Sequence, residues 1–160
     1  MLDWTDAVLR LFAATLTGVA IGLDRDLRGK PTGVRTMGIV ALGSATIVLA
    51  SQYPAHMADI AAGSRVMQGI ITGIGFLGAG VILRHPSGGR VHGLTTAASI
   101  WLTACIGAAC GAGAWPIVAA STVLVAIVLG FGKSVEQAFE RHFPRNEQDG
   151  EGGGEGPKTS

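Results

Sequence analysis

The chain has 160 residues, of which 48% are apolar and only 14% charged, with a formal net charge of +1. An ordinary soluble domain carries about 25% charge, and without a dominant basic stripe the composition argues against a nucleic-acid binder. No Asp or Glu occurs between Asp59 and Glu136, and no Lys or Arg between Arg90 and Lys133. A bilayer explains that gap, because a charge near its centre costs about 2.5–3.5 kcal/mol on insertion scales. The chain therefore reads as all-α, a polytopic membrane helix bundle in contact with lipid.

A membrane-crossing helix needs about 20 mostly apolar residues, within roughly 17–25. Five stretches qualify: 4–23, 36–53, 66–83, 94–114 and 115–132. The first begins beside Asp3 and Asp6 instead of Lys or Arg and lacks a small-x-small cleavage site. It reads as a retained helix and not as a signal peptide. Asp6 and Arg10 stand four residues apart, where they can pair.

The loop after the first span, DRDLRGKPTGVR, carries Asp24, Arg25, Asp26, Arg28, Lys30 and Arg35. The loop after the third carries Arg84 and Arg90, with His85 and His92. The loop after the second has only Arg65 as a basic residue, and the link between the fourth and fifth has no charge. Positive charge collects on the cytoplasmic side, so the N-terminus is expected outside and the C-terminus in the cytoplasm. Trp4, Tyr53 and Trp115 then fall at outer helix ends, as an interfacial belt places them. The inner-loop charges can form an ion-pair network, with Arg84 or Arg90 bridging to Asp24 or Asp26, or recognise a partner or anionic lipid. They can equally do no more than set topology, with Asp24 and Arg28 pairing along one helix.

The third span contains GIGFLGAGVILR, whose Gly73, Gly75 and Gly78 spell G-x-G-x-x-G. A dinucleotide site would need a strand before the glycines and an acid about 20 residues after them. The preceding VMQGIIT has no clear strand boundary, and no acid follows until Glu136. Small residues recur instead at four-residue spacing on several spans: Gly18 and Gly22, Gly69 and Gly73, Gly107 and Gly111, with Gly75 and Ala79 adding a pair. Such rows let helix backbones approach closely in lipid. Gly69, Gly73, Gly75, Gly78 and Gly80 occupy several faces of the third helix, which favours a continuous, centrally packed hub over a broken helix whose freed N–H and C=O groups could bind an ion.

In the fourth span, Thr95, Thr96, Ser99 and Thr103 form one polar stripe, which either lines a pathway or bonds to helix carbonyls. Trp101 is expected to pack within the bundle. Cys105 and Cys110 are five residues apart, about 140° around a helix, and read as packing residues and not as a disulfide or metal pair. Pro116 suits the first turn of the fifth helix. Residues 133–143 read as an amphipathic cytoplasmic helix and 144–160 as a disordered tail.

The three blocks GLDRDLRGKPTGVRT, GIGFLGAGVILR and GLTTAASIWLTACIGAACGAG, in this order and spacing, closely resemble the MgtC/SapB family of bacterial inner-membrane proteins. The likeness covers about residues 7–132 and implies a five-helix bundle with an outside N-terminus. It implies a role in adaptation to low magnesium, and in some members virulence. Two mechanisms compete: regulation of other inner-membrane proteins, the ATP synthase among them, and transport of magnesium or another small ion. The family often has Glu where this chain has Asp24 and Asp26, and many members carry a cytoplasmic C-terminal domain for which this sequence has no counterpart. No carboxylate lies deep in the spans, although a divalent cation prefers hard oxygen ligands. No nucleophile–base pair suggests an enzyme, and no metal site or cofactor is expected. The favoured expectation is a regulatory homo-oligomer.

Overall fold

A computed structural model describes residues 3–53, 60–83 and 93–142. Five helices follow one another: α1 (Trp4–Leu27), α2 (Val34–Ser51), α3 (Ile60–Leu83), α4 (Leu94–Ala112) and α5 (Trp115–His142). The first four are long and apolar enough to cross a membrane. Their Gly and β-branched content would weaken a helix in water, but in lipid every backbone group must bond internally, which enforces helix. The chain divides into two compact units, residues 1–126 and 127–160.

Within the first unit, glycine sets how near the helices come. An added Cβ at Gly18 would lie 2.5 Å from the Met37 carbonyl oxygen and 2.8 Å from the Ala41 Cβ. At Gly22 it would stand 2.6 Å from the Val34 Cα. As the number rises along α1 it falls along α2, so the two run antiparallel. On α4, a Cβ at Gly107 would collide with the Ala41 carbonyl oxygen, and one at Gly111 would lie 2.7 Å from that of Ala45. Here both numbers rise together, so α2 and α4 run parallel. Thr103 meets Met37 in the same register, its Oγ1 3.4 Å from the Met37 sulfur. Three matched pairs, each four residues from the next, thus align α2 with α4. Met37, Ala41, Ala45, Thr103, Ala104 and Cys110 are all 1% exposed or less.

The expected hub lies elsewhere. More than half of α4's apolar stretch is buried, while none of α3's is. α3 packs on α4 and α2 through a half-buried stripe of Val66, Ile70, Ile74, Gly78 and Val81. Of its glycines, Gly78 faces Ala97, whereas Gly63, Gly69, Gly73, Gly75 and Gly80 face open space. The spacing of small residues reveals that a face can be approached but not by which neighbour. α3 is unbroken from Ile60 to Leu83. Trp101 is also corrected, being 45% exposed.

Helix ends differ modestly from expectation. α1 continues through the first charged residues to Leu27 and α2 begins at Val34. Pro116 stands in the first turn of α5, whose helical backbone carries on through residue 133 to His142 instead of separating into a second element. α4 ends on Gly113 at φ +73°, a left-handed conformation that favours glycine. The tail from residue 144 lies outside the described residues.

Substituting Gly107 by Ala should cost about 1–3 kcal/mol, the range for overpacking, whereas Gly75→Ala should change stability by less than about 0.5 kcal/mol. Denaturant unfolding of the purified variants in mixed micelles checks the contrast.

Candidate functional site

Arg25 stands near the C-terminal end of α1, yet only 3% of it is exposed. Its guanidinium points across the bundle to the first turns of α4. Nη2 donates to Thr96 Oγ1 at 2.6 Å and to the Pro31 carbonyl at 3.2 Å; Nη1 donates to Ser99 Oγ at 3.0 Å. Ser99 in turn donates to the Thr95 carbonyl, and Thr103 to that of Ser99, each at 2.7 Å. Back-bonding spends the hydroxyl protons of Ser99 and Thr103 on their own helix, so the Ser99 oxygen is free to accept from Arg25. Thr96, Ser99 and Thr103 are buried, while Thr95 is exposed at the edge of the stripe.

The site therefore unites two groups that lie some 70 residues apart in the sequence. Arg25 belongs to the charged inner-loop run, and Thr96 and Ser99 to the polar stripe. No ion pair to Arg25 is present among the described residues, and its Nε is buried without a partner. A buried guanidinium hydrogen-bonded only to neutral oxygens is a costly arrangement in a membrane bundle, offset in part because Arg25 stands in the last turn of α1, where the helix dipole favours a cation. Such residues mark functional positions more often than packing ones.

The loop between α1 and α2 is shaped around the same residue. Arg25's carbonyl accepts from the Arg28 and Lys30 amides. Asp26 reaches forward so that its Oδ2 accepts from the Val34 amide at 3.0 Å, capping α2 from the end of α1. Its carboxylate fills the space a Cβ at Gly33 would need. Gly29 and Thr32 both have left-handed φ, +61° and +63°; for Thr32 this is an uncommon conformation held by the surrounding bonds.

The other predicted inner-loop residues are surface features. Asp24 and Arg28 pair at 2.9 Å along the helix and are partly exposed, worth a fraction of a kcal/mol. Lys30 and Arg35 are exposed. Arg84 and Arg90, with His85 and His92, lie outside the described residues. Gly18, Gly22, Gly107 and Gly111 pack helices together, while Gly69, Gly73, Gly75 and Gly80 contact nothing beyond their own helix.

One contact escaped sequence reasoning. Arg10 pairs with Asp6 at 2.7 Å as spacing suggested, but its Nη1 also donates to the Gly111 carbonyl at 3.0 Å. α1 thus grips α4 at both ends, through Arg10 at the C-terminus of α4 and Arg25 at its N-terminus. The clue was in the spacing: residues 10 to 25 and 96 to 111 each span 15 positions, about 22 Å of helix.

The model of the MgtC family matches residues 11–138, which takes in all of these residues except Arg10 and Asp6. The chain belongs to the MgtC family. It is 42% identical to SrpB of Synechococcus elongatus over 84% of this chain and 79% of that protein. It is 41% identical to MgtC of Salmonella typhimurium over 74% of this chain and 48% of that protein. It is 37% identical to YhiD of Escherichia coli, named as a candidate magnesium transporter, over 76% of this chain and 58% of that protein. The chain thus spans most of SrpB but only about half of MgtC and YhiD. No solved structure is significantly similar to the chain.

In this MgtC-family bundle, Thr96→Val should cost about 1.5–3 kcal/mol, the worth of a hydrogen bond to a charged group, by removing the shorter of the two bonds that Arg25 Nη2 donates. Thr95→Val, one residue away and exposed, should stay within about 0.5 kcal/mol. Unfolding of both variants in micelles reads the difference.

Proposed function

We propose that this multi-pass membrane protein is a regulator in the bacterial inner membrane, assembled as a homo-oligomer. It acts during magnesium limitation through lateral contacts with other membrane proteins, the ATP synthase being one candidate; in some members the same role would bear on virulence. The observation that carries this reading is the closed protomer. α1, α2 and α4 meet at backbone distance along Gly18, Gly107 and Gly111, and the polar stripe spends its hydroxyls on Arg25 and on helix carbonyls. α3 is unbroken, so its carbonyls are engaged within the helix and not turned toward an ion. The reading involves no catalytic step and no nucleic acid. Its N-terminus is taken as outside and its loop 28–33 as cytoplasmic, from the distribution of Lys and Arg.

The alternative is a magnesium or small-ion transporter, favoured by the name of the Escherichia coli relative. Among the described residues, no group of three His, Cys, Asp or Glu side chains is placed to hold a metal, and a magnesium ion binds through carboxylates and retained waters. Purified chain in liposomes should give no magnesium flux above empty vesicles, and crosslinking in native membranes should capture a reproducible second membrane protein. Saturable flux that is lost in Arg25→Met while the fold is retained would overturn the regulatory reading.

A further inference from the structure

We propose that the first turn of α4 and Arg25 together bind an oxyanion of the phosphate class at the membrane boundary. This goes beyond the regulatory reading and stands on two independent observations at the place where α1 ends and α4 begins.

The first is the bare start of α4. Its N-cap is Gly93, which brings no capping side chain, and its first turn holds no acid. The amides of Leu94, Thr95 and Thr96 therefore have no acceptor within the helix. They form the positive end of the α4 dipole, a ready place for an anion. Leu94 is 58% exposed and Thr95 is exposed beside it, so the turn can be reached from outside the bundle. α4 has 19 residues, about 28 Å of helix. That length matches a hydrocarbon core of about 30 Å and sets the turn at the depth of lipid headgroups. A helix start alone would identify nothing.

The second is a buried cation aimed at that turn. Arg25 is 3% exposed, and its Nη2 already reaches Thr96, the third residue of α4, at 2.6 Å. Of the five N–H groups of a guanidinium, three donate here to uncharged oxygens, and the buried Nε has no partner. No carboxylate answers the charge. Asp24 and Asp26 are the only acids between Asp6 and Asp59, and none follows Asp59 until Glu136. Both oxygens of Asp24 accept from Arg28 Nε, and Asp26 caps α2 through the Val34 amide. A buried charge without a counter-charge is strongly destabilising, and the α1 dipole offsets only part of that.

An oxyanion meets both needs, accepting from the α4 amides and neutralising Arg25. Phosphate oxygens are numerous enough to do this at once and suit the planar guanidinium fork. The bond that yields is the longest, 3.2 Å from Nη2 to the Pro31 carbonyl. Pro31 is exposed, and a bond between two ions outweighs one to a neutral carbonyl.

The test uses full-length chain in maltoside micelles, which contain no phosphorus. One arm adds phosphatidylglycerol and counts bound lipid by native mass spectrometry. The other adds inorganic phosphate and measures binding by equilibrium dialysis. We expect one site per chain, and the arm that binds identifies the source as lipid or free ion. Arg25→Met should weaken binding about tenfold or more, the effect of losing a hydrogen bond to a charged group. Thr95→Asp plants a carboxylate in the exposed first turn and should displace the phosphate as strongly, which decides the matter even where Arg25→Met fails to fold. Thr95→Val and Lys30→Gln should leave binding unchanged. No binding in either arm, indifference of a folded Arg25→Met or of Thr95→Asp, or an equal loss in Lys30→Gln would each overturn the proposal. Magnesium flux bears on the regulatory reading alone and phosphate binding on this site alone, so the two failures are told apart.

Discussion

Ala41 holds this bundle together by being small. It lies where α1 and α4 both come to α2, with the Gly18 backbone on one side and the Gly107 backbone on the other. Inside lipid there is no hydrophobic force to press helices together, so dispersion between closely approaching backbones must do it. That attraction falls steeply with distance, and a side chain at either glycine would forfeit it. The parallel register of α2 and α4, from Met37–Thr103 to Ala45–Gly111, follows from that contact.

With α1 and α4 set on either side of α2, two arginines of α1 reach the two ends of α4. Arg10 meets the Gly111 carbonyl at the negative end of the α4 dipole, a favourable placement. Arg25 meets hydroxyls at the positive end of α4, while standing in the last turn of α1, where its own helix dipole favours a cation. Its bonds tie together loop 28–33, α1 and α4. Asp26, at the end of α1, caps α2 across that loop.

The helices and their lipid setting were legible in the sequence because charge is excluded from hydrocarbon whatever the neighbours are. Asp24–Arg28 and Asp6–Arg10 were legible for a related reason, since an i, i+4 pair needs only one helix to be defined. Gly18, Gly22, Gly107 and Gly111 were recognisable as packing residues, but Gly69, Gly73, Gly75 and Gly80 carry the same signature and contact nothing in the protomer. Small-residue spacing records an approachable face and is silent about the partner. The join between Arg25 and Thr96 was hidden for the same reason: it depends on which helices are neighbours. Trp101 was misread because depth in the membrane was taken for depth in the protein.

Membership of the MgtC family is joined in the structure to a core in which α1, α2 and α4 meet at backbone distance. Its centre is α4, not α3. Solid-state NMR of selectively carbon-13-labelled glycine and alanine, in bilayers and diluted with unlabelled chain to isolate the protomer, measures it directly. We expect a strong inter-helix cross-peak between Gly107 and Ala41 and one between Gly111 and Ala45, with none to α2 or α4 from Gly73 or Gly75. Cross-peaks from Gly73 and Gly75 into α2 or α4, with none at Gly107, would contradict it.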